Sequence, residues 1–222
     1  MGSKLDDLGI KYNTDKASVN CGHPEHDYLR HYEIFLRDFV KNSFALVELG
    51  SEYGHSLRMW EEYFPKATII GVDLNPNVES LNTERIQCIY SDAIADDLPA
   101  KIKQKTNKDI KCIIDDCSHA WSSQRISFEN LFPILASGGY YIIEDLECGT
   151  LGAYPQFPLR TQDSQVFFEY ALDRMRILRV SENRNPISFR PFFHELPQKI
   201  QEIERSIDMA MIIPGAVIFK KK

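Results

Sequence analysis

Short apolar segments alternate with amphipathic stretches along most of the chain. Phe44–Leu49 predicts a strand that ends at Gly50, and Ser56–Phe64 has the apolar spacing of a helix, closed by Pro65. The alternation continues with predicted strands at 68–72, 86–90, 110–115 and 140–143 and with helices near 95–105 and at 121–135. Strands separated by helices indicate βαβ units on a parallel sheet, and therefore an α/β fold.

Both ends of the chain depart from this alternation. The stretch DYLRHYEIFLRDFV has helical spacing, and we predict that residues 1–40 form a helical lid before a main domain at 41–222. A further helix is predicted from about 163 to 180. At the C-terminus, the apolar runs 207–213 and 216–220 flank a Pro-Gly pair, which predicts a hairpin and an antiparallel strand in an otherwise parallel sheet.

Composition excludes several classes of protein. The net charge of -6 and the lack of a long internal Lys/Arg run disfavour nucleic acid as a partner. No apolar stretch approaches the roughly 20 residues of a membrane span, and the first residues lack the apolar segment of a secretory signal. The five cysteines include no C-x-x-C pair, so they predict reduced thiols. We therefore expect a cytoplasmic protein with no membrane partner.

A glycine-bearing turn, VELGSEYGHS at 47–56, joins the first predicted strand to the next helix. Glycine lets the backbone approach a ligand, and the helix N-terminus presents free N–H groups. Asp73 ends the second strand, where a carboxylate can accept hydrogen bonds from a ribose diol. Glu48 and Glu52 bring negative charge to the turn, which favours the cationic sulfonium of S-adenosylmethionine over the diphosphate of NAD. The alternative is an ordinary βα turn beside a polar strand end.

Acidic side chains also end two later strands. In KCIIDDCSHAW, Asp115 and Asp116 end one strand, and Asp145 follows the next. Ligands of an open α/β sheet bind beyond the carboxyl ends of its strands, so we expect these acids in one cleft. Such oxygen ligands suit Mg²⁺, and His119 would lie close to a metal-bound hydroxyl. The alternative is a pair of solvated acids, with Ser118 capping the following helix.

These motifs, taken in order, resemble the magnesium-dependent sugar O-methyltransferases, the group of class I methyltransferases that includes the mycinamicin and macrocin enzymes. The resemblance runs over roughly residues 10 to 146, and again weakly at the terminal hairpin. Its pieces are Asn13-Thr-Asp-Lys16, Tyr32-Glu33, Gly50 with Tyr53-Gly54, Ser56-Leu-Arg-Met-Trp60, Tyr63-Phe-Pro65, Gly71-Val-Asp73, Ile114-Asp-Asp-Cys-Ser-His119, Phe128, Leu131-Phe-Pro133, Gly138-Gly139 and Ile143-Glu-Asp-Leu146.

The resemblance implies a Rossmann-like methyltransferase fold, with a mainly parallel seven-stranded sheet that ends in an antiparallel hairpin strand, over residues 41–222. It also implies two cofactors, S-adenosylmethionine and Mg²⁺. Asp92, beside Ser91, is expected near the adenine, and Asp115 beneath the methionine part. Together with the glycine turn, the resemblance predicts these cofactor contacts: Glu48, Gly50, Tyr53, Gly54, Ser56, Asp73, Asp92 and Asp115.

The same resemblance assigns the chemistry to three residues. Asp116 and Asp145 are predicted metal ligands, and Asp116 is predicted to be catalytic together with His119, the general base. Two features depart from the family. Cys117 stands where the family usually has glycine, and the loop before Ser56 is shorter than in the macrolide enzymes, so the geometry on the substrate side is expected to differ.

We therefore predict methyl transfer from S-adenosylmethionine to the hydroxyl of a sugar-containing small molecule, either a glycoside, a glycosylated metabolite or a nucleotide-linked sugar. Three alternatives stay open: an enzyme for another diol such as a catechol, an NAD-dependent dehydrogenase, and a non-catalytic S-adenosylmethionine-binding protein. The dehydrogenase is disfavoured by the acidic residues of the glycine turn, where a diphosphate would be repelled. The sequence leaves open the sugar, the hydroxyl, the pathway, homo-oligomerisation, and any role of Glu33 or Glu144 at the metal site.

Overall fold

The structure, a computed structural model, describes residues 3–19, 26–149, 202–203 and 205–222. The helix predicted at 163–180 lies outside these residues. Among the described helices, none is long and apolar enough to cross a membrane. The described cysteines, Cys88, Cys112, Cys117 and Cys148, are free thiols.

A seven-stranded sheet forms the centre of the molecule, in the order β3-β2-β1-β4-β5-β7-β6. Strands β1 to β5 pair in parallel, and β7 runs antiparallel to both β5 and β6. The predicted fold class and the C-terminal hairpin are thereby confirmed. The strands are β1 Ala45–Leu49, β2 Thr68–Asp73, β3 Ile86–Tyr90, β4 Ile110–Asp115, β5 Tyr140–Ile143, β6 Ile207–Ile213 and β7 Ala216–Lys221.

Residues 3–19 and 26–149 contain five α-helices, two of them before the sheet. They are α1 Lys4–Tyr12, α2 Leu29–Leu36, α3 His55–Tyr63, α4 Leu98–Lys105 and α5 Trp121–Leu131. The prediction that α5 continues to residue 135 was wrong, because the chain turns into a 3-10 helix at Phe132–Ile134. Pro133 explains the change, since proline has no backbone N–H to donate and its ring clashes with the preceding turn.

The sheet is covered on both faces, which is why its strands are apolar along their whole length. Every residue of β1 is buried. Because successive side chains of a strand point to opposite faces, Val47 joins one core cluster, with α4 and α5, and Leu46 joins the other, with α1, α2 and α3. This two-sided burial gives the continuous hydrophobic runs that predicted a parallel sheet.

The N-terminal helices belong to the core of the molecule. Leu5 of α1 and the α2 residues Leu29, Tyr32 and Leu36 are fully buried, at 0% exposure. They pack in the same cluster as Trp60 of α3. Residues 13–15, which follow α1, border a cleft at the carboxyl edge of the sheet. Closure of this segment over a bound acceptor stays a prediction.

Candidate active site

The glycine turn after β1 is braced by a single carboxylate. Asp73 Oδ2 accepts hydrogen bonds from the backbone N–H groups of Ser51 and Glu52, both at 2.8 Å, and Oδ1 accepts one from Asn75 at 2.7 Å. A carboxylate offers about four acceptor positions, so these bonds leave about one for a ligand. Asp73 therefore fixes the shape of the turn as well as facing the cleft.

Gly50 is required at the start of this turn. Its φ is +85°, and a Cβ added there would lie 2.0 Å from the carbonyl oxygen of Asp116. Gly54 has φ +73° and is the N-cap of α3. The two strand ends, after β1 and after β4, thus approach each other so closely that only a residue without a side chain fits between them.

Two neighbouring cavities open along this edge of the sheet. The larger, of ≈ 640 Å³, is lined by the N-terminal segment, the glycine turn and the end of β4: Asn13, Thr14, Asp15, Gly50, Ser51, Glu52, Tyr53, His55, Ser56, Asp73, Asp116, Cys117 and His119. The smaller, of ≈ 320 Å³, lies toward β3 and includes Leu74, Asp92 and Ser123. Gly50, Asp73 and Cys117 line both cavities, so one extended ligand could occupy the two together.

The acids and the histidine predicted to carry the chemistry lie together. One ligand atom each from Asp116, His119 and Asp145 fall within 4.8 Å of one another. His119 Nδ1 lies 3.2 Å from Asp145 Oδ2 and 4.0 Å from Asp116 Oδ1. His119 and Asp145 have φ of 52° and 55°, a left-handed conformation that non-glycine residues rarely adopt and that often marks functional sites.

The donor set fits a hard divalent cation. Two carboxylates from neighbouring strand ends supply the oxygen ligands that Mg²⁺ prefers, and Asp116 borders the open cavity where waters and a diol could complete the coordination. The imidazole is a poor ligand for Mg²⁺. Asp116 and Asp145 are thus the residues that could hold the metal, and the role of His119 as a general base stays a prediction.

Residues of the N-terminal segment contact these strand ends, and no role at the metal site was predicted for them. Lys16 Nζ donates to Asp116 Oδ2 and, at 2.6 Å, to Glu144 Oε2. Tyr32 donates to Glu144 Oε1 at 2.8 Å, and Tyr28 donates to Asp145 Oδ1 at 2.7 Å. The sequence carried two signals: Lys16 and Tyr32 belong to the N-terminal stretches of the family resemblance, and Tyr28 and Tyr32 belong to the predicted helical lid.

The charge of Lys16 is maintained by its neighbours. Burial works against the ammonium, but the carboxylates of Asp116, Glu144 and Glu48 outweigh it and hold the pKa of Lys16 well above its usual value. Burial also raises the pKa of the Glu144 carboxyl, against the opposing effect of Lys16. Glu144 is therefore part of the buried surroundings of the candidate metal site, in contact with Lys16 and Tyr32.

Two of the predicted cofactor contacts lie below the floor of the cleft. Glu48 is fully buried, accepts a hydrogen bond from Trp60 Nε1 at 3.1 Å and lies 3.4 Å from Lys16 Nζ. Burial raises the pKa of its carboxyl to about 7. Asp115 is also fully buried and accepts hydrogen bonds from Ser127 and from Cys117. Neither acid lines the two cavities described above.

The other predicted contacts do reach the cleft, with the exception of Gly54, which caps α3. Tyr53 borders the larger cavity with 65% of its surface exposed. Ser56, in the first turn of α3, lines the same cavity, although it is buried. Asp92, after β3, lines the smaller cavity. The glycine turn, which suits a cofactor, thus lies next to the Asp116, His119 and Asp145 cluster, which suits a metal and a base.

Comparison with known proteins finds relatives of the kind that the motifs indicated. The chain is 31% identical over 150 residues to L-olivosyl-oleandolide 3-O-methyltransferase of Streptomyces antibioticus, and 33% identical over 151 residues to mycinamicin VI 2''-O-methyltransferase of Micromonospora griseorubida. The predicted resemblance to sugar O-methyltransferases is confirmed. Each alignment covers 64% of this chain but only 36% of the relative, so the chain matches about a third of the length of these curated relatives. No protein-family profile matches the chain.

Comparison of structures confirms the fold. The methyltransferase MycE of the mycinamycin pathway, in complex with Mg, SAH and mycinamycin VI, superposes with a TM-score of 0.73 at 23% sequence identity. The match covers 99% of this chain and 56% of MycE. The chain therefore has the Rossmann-like methyltransferase fold.

Proposed function

We propose that the protein transfers a methyl group from S-adenosylmethionine to a hydroxyl of a sugar-containing small molecule, with Mg²⁺ bound at Asp116 and Asp145. The observation that carries the proposal is the cluster of Asp116, His119 and Asp145, two of which, Asp116 and His119, line the larger cavity together with the glycine turn. Relatives at 31% and 33% identity are named as O-methyltransferases of an oleandolide glycoside and of mycinamicin VI, which supports a sugar as the acceptor class.

The cofactor would span the two cavities. Its adenine fits the smaller one, beside Leu74, which is 62% exposed, and Asp92. The remaining acceptor position of Asp73 would receive one ribose hydroxyl, because the backbone already uses the others. The methionine part then lies over the glycine turn, close to Tyr53 and Ser56. In this arrangement Glu48 and Asp115 act from beneath the cleft, through the electrostatics and shape of its floor.

A sugar hydroxyl is a weak nucleophile at neutral pH, so its proton must leave as the new bond forms. Since Nδ1 of His119 lies 3.2 Å from Asp145 Oδ2, Nε2 is the ring nitrogen that would take this proton. The hydroxyl oxygen bonds to the methyl carbon as the carbon–sulfur bond breaks, and S-adenosylhomocysteine leaves with the electron pair on sulfur. Mg²⁺, when bound, would hold the acceptor oxygens and make their hydroxyl more acidic.

Calorimetric titration and a transfer assay test the proposal together. We expect S-adenosylmethionine to bind and NAD not to bind, and labelled methyl to pass to a member of a glycoside panel but not to catechol. His119→Ala should lower kcat about 10² to 10⁴-fold with cofactor affinity nearly unchanged. His31→Ala, a histidine of α2 outside both cavities, is the matched control and should stay within about threefold.

Specific results would contradict the proposal. If NAD binds tightly and S-adenosylmethionine does not bind, S-adenosylmethionine is excluded as the cofactor. Cofactor binding without transfer to any glycoside would support a binding protein, and transfer to catechol alone would replace the sugar with another diol. If the kcat of His119→Ala stays within about threefold of the parent, His119 is not the general base. Positioning of the substrates would then account for the rate.

A further inference from the structure

A single buried ammonium contacts three carboxylates, two that follow strands and one within a strand. Lys16 Nζ contacts Asp116 after β4, Glu144 after β5 and Glu48 within β1. The side chains of Lys16, Glu144 and Glu48 are 2%, 1% and 0% exposed. Desolvated charges interact far more strongly than exposed ones, so this contact is one of the strongest constraints on where these carboxylates can point.

The backbone of Lys16 is held as firmly as its side chain. Its carbonyl accepts hydrogen bonds from the N–H groups of Tyr28 at 3.1 Å and Leu29 at 3.4 Å, which tie it to the start of α2. The next residue, Ala17, is fully buried. These backbone contacts hold Lys16 in place. Its ammonium therefore reaches Asp116 and Glu144 from a fixed position, although the two acids lie 100 and 128 residues later in the sequence.

The two carboxylate oxygens of Asp116 have different neighbours. Oδ2 accepts from Lys16, while Oδ1 lies on the side of His119, 4.0 Å from its Nδ1. We infer that Lys16 is a positioning residue of the metal site: it holds Asp116 by Oδ2 and so presents Oδ1 to the cation. The inference rests on the proposed function, because it takes Asp116 to be a metal ligand.

A purely electrostatic role for Lys16 predicts the opposite result. Removing a positive charge next to a cation site should tighten cation binding, whereas losing the positioning of Asp116 should weaken it. The double variant Lys16→Met/Glu144→Gln separates these effects, because it removes one positive and one negative charge. It also avoids leaving the Glu144 carboxylate buried and unpaired, the kind of loss that makes breaking a buried ion pair on one side strongly destabilising.

Binding of Mn²⁺, followed by the electron paramagnetic resonance signal of the free ion in the presence of S-adenosylhomocysteine, is the test. We expect Lys16→Met/Glu144→Gln to weaken Mn²⁺ binding at least about tenfold, while S-adenosylhomocysteine affinity stays within about threefold. Glu144→Gln alone keeps Lys16 on Asp116 and is the reference with which the double variant is compared. Lys11→Met, at an exposed lysine of α1, is the control for loss of a charge and should also stay within about threefold.

Three results would overturn the inference. One is Mn²⁺ binding by the double variant within about threefold of Glu144→Gln alone, and another is tighter binding. A parent protein that does not bind Mn²⁺ contradicts the metal site itself, and the inference with it. If circular dichroism shows that Lys16→Met/Glu144→Gln does not fold, Lys16→Gln/Glu144→Gln replaces it in the same test. The glutamine at position 16 is polar and fills the space, but it is too short to hold Asp116.

Discussion

Substitution of Gly50 by alanine tests the close approach of the two strand ends on which the site depends. At φ +85° a side chain costs about 1–2 kcal/mol. The new Cβ would also lie 2.0 Å from the carbonyl oxygen and 2.8 Å from the carbonyl carbon of Asp116, backbone atoms that cannot rotate away. Overpacking of this kind typically costs about 1–3 kcal/mol more. Gly50→Ala should therefore lose about 2–5 kcal/mol of unfolding free energy and displace Asp116.

Gly138→Ala is the matched control for this prediction. Gly138 has φ +74°, but a Cβ added there would meet nothing within 4 Å, so only the cost of about 1–2 kcal/mol for the backbone conformation applies. The free energies of unfolding of both variants are measured in urea, and their difference gives the cost of the clash. Mn²⁺ titration reports the displacement of Asp116. If Gly50→Ala unfolds within about 0.5 kcal/mol of Gly138→Ala and binds Mn²⁺ like the parent, the reasoning is refuted.

Three further predictions follow from contacts at the same edge of the sheet. Burial raises the pKa of the Glu48 carboxyl from 4.5 to about 7. The unfolded chain therefore loses the carboxyl proton at a lower pH than the folded chain, and stability falls as the pH rises between these values. Glu48→Gln should remove up to about 3 kcal/mol of that loss in urea unfolding, whereas Glu84→Gln, at an exposed site, should leave the slope unchanged. Asp73→Asn should speed amide hydrogen exchange in the glycine turn and weaken S-adenosylmethionine binding at least about tenfold. In either orientation of the side-chain amide, its NH₂ group would face at least one backbone N–H donor. Unchanged exchange would argue against the brace. Tyr28→Phe should lower the melting temperature through the loss of about 1–3 kcal/mol of hydrogen bonding to Asp145, and an unaltered melting temperature would count against that contact.

The sheet was predictable because burial on both faces leaves a direct mark on the sequence. The apolar runs of β3, β4 and β5 have the bounds that the pattern predicted. The end of α5 was less predictable, since its apolar spacing continues past the point where Pro133 ends the helix. Local patterns thus fix the elements better than their last turns.

The candidate site was predictable only where its residues follow strands. Asp116 and Asp145 meet because parallel strands end at one edge of the sheet, which the order of elements already implies. The separate direction of Asp115 follows from strand geometry, since neighbouring side chains point to opposite faces. Lys16 was not predictable from the residue pattern, because a lysine in a polar stretch is typical of the surface and its partners lie 100 and 128 residues away.

Methyl transfer to a glycoside with and without metal is the measurement that tests the central claim most directly. The full chain is supplied with labelled S-adenosylmethionine and a glycoside panel, first after exhaustive treatment with EDTA and then with Mg²⁺ restored. The account predicts labelled methyl ether only when Mg²⁺ is present, and none with Asp116→Asn under either condition. Transfer that survives EDTA undiminished, or full activity of Asp116→Asn, would contradict a metal-assisted reaction at this site.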